Sequence, residues 1–148
     1  MLADIKAIAR RYREELWSQE ALSVADEIFA PTCAFHNFDP ITPALENGSA
    51  GARKLVIIYR TAFPDVRFTL DDLFAEGDRV LVRWTAHGTH TGSFMGIDPT
   101  RMKVTVHGMD VYRVTGGKIQ EIWVNWDTMS FMQQLGLEPP SPTTKSVS

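Results

Sequence analysis

The residues whose types and positions best suit moving a proton or steadying a negative oxygen are the carboxylates Asp110 and Asp127, the histidines His36 and His107, and Arg83. Proton transfer next to a carbonyl needs one such carboxylate or histidine as base and one donor for the oxyanion. Asp110 alternates with Val106, Gly108 and Tyr112, and residues two apart on a strand share a face, so it sits on a largely apolar one. A carboxylate there either gains proton affinity and serves as a base, or is satisfied by a neighbour such as an arginine. Asp127 follows Trp123 and Trp126. Those rings could desolvate it, while its position before a helix equally suits a cap. His107 points away from Asp110 unless Gly108 marks a bulge that re-aims a side chain. His36 and Asn37 are consecutive on an extended run, so at most one faces inward, where either would supply a donor to a carbonyl oxygen. Arg83 shares a strand face with Thr85 and His87, lining a pocket or facing solvent.

Other chemistries lack their parts. The sequence has no serine elbow, no glycine-rich phosphate loop and no cysteine–histidine pair for a thiol nucleophile. Cys33 is the only cysteine, and His87 and His90 flank Gly88-Thr89 without a third ligand at zinc spacing, so no metal is expected. The net charge is −3 and the basic residues are scattered, which argues against nucleic acid as a partner. The one cluster, Arg10, Arg11 and Arg13, is interleaved with Glu14 and Glu15 and reads as a solvated helix face rather than a phosphate site. The opening MLADIKAIARRYREELW has neither a signal-peptide core nor a bilayer-length apolar run. No membrane partner is expected, and the cytoplasm is the expected compartment.

The elements that must position these residues come in two halves. Leu2, Ile5, Ile8, Tyr12 and Leu16 form one stripe of an amphipathic helix, and Leu22, Ala25 and Ile28 or Phe29 mark a shorter one closed by Pro31. Residues Cys33 to Phe38 read as a short strand, followed by a loop from Asp39 to Gly48. Ser49 is the expected N-cap of a third helix, which carries Leu55, Ile58, Tyr59 and Ala62 and stops at Pro64. Then come four antiparallel strands, Val66 to Phe74, Arg79 to His87, Met102 to Val114 and Lys118 to Trp126, with turns at Glu76-Gly77-Asp78 and Gly116-Gly117. A last helix from about Thr128 to Leu135 ends at Gly136, and 138–148 reads as a disordered tail.

At 148 residues, with 44% hydrophobic and 22% charged residues, the chain suits one globular domain, taken as 1–137. Helices followed by a strand meander give an α+β order, in which a curved, antiparallel-rich sheet wraps around the N-terminal helices and encloses an apolar cone.

Several short tags occur in a familiar order: Ala62-Phe63-Pro64-Asp65, Glu76-Gly77-Asp78-Arg79-Val80, Gly88-Thr89-His90-Thr91-Gly92, Gly96-Ile97-Asp98-Pro99-Thr100, Gly117-Lys118-Ile119, Glu121-Ile122-Trp123 and Gln134-Leu135-Gly136. From the first helix to Gly136 the chain resembles the SnoaL-like polyketide cyclases and ester cyclases of the NTF2-like superfamily. The resemblance implies an NTF2-like cone with the ligand inside, a homodimer formed through the outer sheet surface, and no cofactor. It also implies ring closure of polyketide esters by an aldol step, with an acid on the last strand. The position that aligns with that acid, seven residues after Gly117, is Val124. Asp127 matches the carboxylate that ester cyclase members carry in this Trp-rich segment, and His36 matches their first-strand histidine.

The mechanism expected from residues and resemblance together is proton transfer next to a carbonyl, as in aldol-type cyclisation or isomerisation. Asp127 or Asp110 is the base, His36, His107 or Arg83 stabilises the enolate, and Trp84, Trp123, Trp126, Asn37, Tyr59 and Phe63 contact a small hydrophobic carbonyl compound. The alternative, which Val124 favours, is a non-catalytic binding or scaffold domain for a hydrophobic ligand or protein.

Overall fold

The structure, a computed structural model, describes residues 2–137. Helix α1 (Leu2–Arg10) runs without a break into a π-helical stretch, Arg11–Trp17. The wider π turn brings Tyr12, Arg13, Leu16 and Trp17 to the inner side as two adjacent pairs, and all four are buried. This corrects the reading of the arginine cluster. Arg10 and Arg11 pair with Glu14 and Glu15 on the outside, whereas Arg13 is 3% exposed and points into the fold. A local π turn of this kind often accompanies a functional site.

Helix α2 (Val24–Ile28) passes directly into strand β1 (Phe29–Asn37), which therefore begins four residues before the expected Cys33. Pro31 lies inside the strand rather than closing the helix. Proline has no N–H for a ladder, and β1 tolerates it because it is an edge strand whose register with its neighbour shifts between Phe29 and Ala34. Helix α3 (Gly48–Ala62) starts one residue before Ser49, so the expected cap is already helical and Asn47 holds the N-cap position with an extended backbone.

Strands β2 (Arg67–Glu76), β3 (Arg79–Thr89), β4 (Lys103–Thr115) and β5 (Lys118–Trp126) form the expected antiparallel meander. The sheet order is β1-β5-β4-β3-β2, with β1 parallel to β5, and the sheet does not close into a barrel. Register shifts at Leu70/Asp72 and Arg113/Val114 bend it. The β3–β4 register, by contrast, runs unbroken through Gly108, so Gly108 is no bulge and His107 and Asp110 take opposite faces. Glycine is required there because the Trp84 indole lies against its Cα, where a Cβ would sit 2.3 Å from the ring.

Val80, Val82, Trp84 and Ala86 of β3 and Val104, Val106 and Tyr112 of β4 form the inner face, covered by Tyr12, Leu16, Leu55 and Val56 from the helices. Helix α4 (Thr128–Gln134) closes one end: Gln134 docks on β4 through both the N–H and the C=O of Thr105, which sets Phe131 against Phe63 and Phe94. The tail 138–148 lies outside the described residues. The result is an α+β cone, with a concave sheet face turned toward the helices.

Candidate ligand site

A cavity of about 70 Å³ lies between the helices and the inner sheet face. Its sides are Leu55 of α3, Phe63 and Val66 from the segment that follows it, and Phe68, Trp84, Val106, Val124 and Trp126 from the sheet. Polar residues border it at three places: Arg13 with Trp84, Asn37 with Thr42, Tyr59 and Trp126, and His87 near the end of β3.

Around Arg13 a buried ion pair is fully organised. The Asp110 carboxylate, with no solvent exposure, accepts from Arg13 Nε at 2.9 Å and Nη2 at 2.6 Å, from Trp84 Nε1 at 3.0 Å and from the Tyr112 hydroxyl at 2.5 Å. Four donors on one carboxylate offset the cost of taking a charge out of water. The Arg13 guanidinium lies 4.5–5.2 Å from the ring centroids of Tyr12, Trp17, Phe68 and Trp84, a cation–π cage. Burial holds the Tyr112 hydroxyl well above its ordinary range and pushes Tyr12 up to about 12, so both stay neutral. Arg13 and Trp84 stand on the cavity wall, with Asp110 behind them.

The second polar group hangs from the loop after β1. Asp39 folds that loop by accepting from the backbone N–H groups of Ile41 and Thr42 at 3.0 and 2.6 Å. Its other oxygen accepts from the Thr42 hydroxyl at 2.8 Å and from Trp126 Nε1 at 3.0 Å. Thr42 Oγ1 is also 3.1 Å from the Tyr59 hydroxyl. Because the single hydroxyl proton of Thr42 goes to Asp39, Tyr59 donates to Thr42, and the phenolic oxygen keeps a lone pair for the cavity. Burial raises the Tyr59 proton affinity above that of a free phenol.

The residues nominated from sequence divide between cavity and exterior. Asn37, Tyr59, Phe63, Trp84 and Trp126 line the cavity. Trp123 lies on the outer sheet face, where His36 stacks on it at 5.4 Å and Arg79 caps it at 5.0 Å. His36 Nε2 is 2.7 Å from Glu121, and this bond, aided by Arg113, keeps the Glu121 carboxyl below its usual range. His107 is also on the outer face, beside Thr85, and Arg83 pairs there with Asp72 at 2.6 Å. Asp127 caps α4 by accepting from Ser130 N at 3.0 Å and is exposed. Val124, at the aligned acid position, does line the cavity.

Arg13 and Thr42 were missed as site residues. The signal for Arg13 was Trp17 four positions on, since residues i and i+4 share a helix face; for Thr42 it was the Asp39-Pro40-Ile41-Thr42 run, a turn sequence in which the aspartate bonds forward. Among the described residues no group of three or more His, Cys, Asp or Glu is arranged to hold a metal ion, and no helix is long and apolar enough to cross a membrane. Burial pushes the Cys33 thiol up to about 12, which leaves it an unreactive core residue.

The chain is similar over nearly its whole length to solved structures. AclR from Streptomyces galilaeus, described as a "putative hydroxylase", is 30% identical with a TM-score of 0.79, covering 94% of this chain and 100% of that one. A "putative polyketide cyclase" from Acidithiobacillus ferrooxidans is 30% identical with a TM-score of 0.78, covering 90% and 94%. IdmH from Streptomyces antibioticus, also a "putative polyketide cyclase", is 28% identical with a TM-score of 0.76, covering 93% and 99%. No curated protein matches the chain. The family model described as SnoaL-like polyketide cyclase matches residues 7–135. With the cone, the cavity and this match in hand, the chain belongs to the SnoaL-like polyketide cyclase family.

Proposed function

We propose that this domain takes a hydrophobic, carbonyl-containing small molecule, such as a polyketide, into the cavity between helices and sheet, and does so without a cofactor. The observation that carries this reading is the lining, which is mostly apolar along its sides, with polar groups at Arg13 with Trp84, at the Asn37, Thr42, Tyr59 and Trp126 group, and at His87. That is the composition of a small-molecule site. Binding without turnover is supported by the positions of Asp127, Asp110, His36, His107 and Arg83, none of which is among the cavity-lining residues, and by Val124 in place of an acid.

One observation favours turnover, by aldol-type cyclisation or isomerisation: the chain of hydroxyls from Tyr59 through Thr42 to Asp39. A proton lost from the carbon next to a bound carbonyl can enter at Tyr59 while Tyr59 gives its own to Thr42 and Thr42 gives its own to Asp39. The C–H electron pair becomes the enolate π bond, and the return of the proton along the same path completes an isomerisation. Acetophenone in D2O tests both readings at once by NMR. Shifts confined to cavity residues without faster methyl deuteration mean binding alone, and faster deuteration that Tyr59→Phe abolishes means acid/base turnover. Absence of any shift at the cavity residues overturns the ligand site itself.

The same reading joins two copies through the outer sheet face, where Phe74 and Met109 are more than half exposed and Leu81, Val111 and Trp123 are partly so.

A further inference from the structure

Arg13 has more donors than its partner uses. Nε and Nη2 both go to one oxygen of Asp110, at 2.9 and 2.6 Å, and among the described residues no protein acceptor takes Nη1. The two faces of the guanidinium are not free, because rings of Tyr12, Trp17, Phe68 and Trp84 surround it at 4.5–5.2 Å. With one edge on the carboxylate and the faces against rings, the remaining edge is the one that can serve the cavity that Arg13 lines. A guanidinium nitrogen beside a mostly apolar cavity, in a residue only 3% exposed, is served best by an acceptor brought in on the ligand.

We propose that Arg13 is the ligand-anchoring residue of the cavity: its Nη1 edge donates to a carbonyl or enolate oxygen at the inner end of an otherwise apolar ligand. The charge balance selects that class. Asp110 already neutralises the guanidinium, so a second full anion would enter a largely buried site uncompensated, whereas a carbonyl oxygen adds an acceptor without adding a charge. As that oxygen gains negative charge, the fixed guanidinium, which needs no reorientation, holds it more strongly. Asp110, Tyr112 and Trp84 act through Arg13 as positioning residues, fixing its plane. The inference rests on the cavity being the ligand site and names the atom that reads the ligand there.

The test compares acetophenone with α-methylstyrene, its near-isostere with CH2 in place of the oxygen, by NMR titration of the full chain. Arg13→Met alone would strand a buried carboxylate, so it is combined with Asp110→Asn, whose amide still meets Trp84 and Tyr112. Arg13→Lys is a second variant that keeps a cation beside Asp110 but loses the planar edge. Between the native protein and either variant, the affinity ratio of ketone to hydrocarbon falls by about tenfold, while the hydrocarbon still binds. In the native protein the Arg13 side-chain nitrogen resonances shift with ketone and not with hydrocarbon. An unchanged ratio, or Arg13 resonances that ignore the ketone, overturns the assignment even if both compounds bind. If neither compound binds in the cavity, the ligand site itself fails, and this assignment with it.

Discussion

His90 has no solvent exposure, stacks on Phe63 at 5.2 Å, and accepts through Nδ1 from the Thr100 backbone N–H. Desolvation lowers its proton affinity in the fold, against a smaller opposing pull from the Gly92 backbone, so the ring favours its neutral form while the unfolded chain protonates near the ordinary histidine value of about 6.5. The unfolded state then binds the extra proton, and stability present above that pH is lost as pH falls through the window from the unfolded value down to the folded one. The slope from this one group is at most about 1.4 kcal/mol per pH unit. Urea unfolding at about pH 7.5 and about pH 5.5 is expected to show a drop in stability that His90→Gln reduces; equal drops in both proteins would remove His90 as the cause. Carboxylates held low, such as Asp65 by its Thr89 bonds, act at lower pH than this. At this scale the sequence was least legible. Spacing could find that Asp110 lies on an apolar face, and it left open that an arginine satisfies it, but which arginine depends on a contact 97 residues away. Charge alternation hid Arg13 although Trp17 four positions on marks its face, because the carboxylate that makes its burial tolerable comes from a distant strand.

Among the elements, the antiparallel strands were the most legible part, since period-two alternation and the glycine turns are local signals. Lys118–Trp126 was read to the residue, and the others to within about two. The start of β1 was not legible, because Pro31 argues locally for a break and only the edge position of the strand makes it acceptable. Helix α4 was legible, and so was the capping alternative for Asp127. As a cap accepting from Ser130, Asp127 contributes to the helix, and Asp127→Ala is expected to cost about 1 kcal/mol in urea unfolding. The same variant should leave acetophenone affinity unchanged, because Asp127 is not among the cavity-lining residues. A loss of affinity without a loss of stability would return Asp127 to the site.

For the whole molecule, the inner sheet face is filled by helices while the outer one has no cover, and its Phe74 and Met109 are 61% and 51% exposed. If two copies meet there, light scattering after gel filtration should give twice the chain mass at tens of micromolar. Phe74→Lys with Met109→Lys should then give single chains that still bind the cavity probe; a single-chain mass for the native protein sinks the pairing. The cone itself was legible as a layer order, helices then meander, whereas the parallel β1–β5 pairing was not, since nothing local links Phe29 to Ile119 or His36 to Trp123. That pairing sets a schedule for the nascent chain. The first strand to be synthesised receives its neighbour from the last, and Arg13 waits for Asp110, so with synthesis at about 5–20 residues per second the amino-terminal third stays unpaired for on the order of ten seconds. During that interval Phe29, Phe35 and the cage rings of Tyr12 and Trp17 are the surface that a ribosome-bound chaperone meets first.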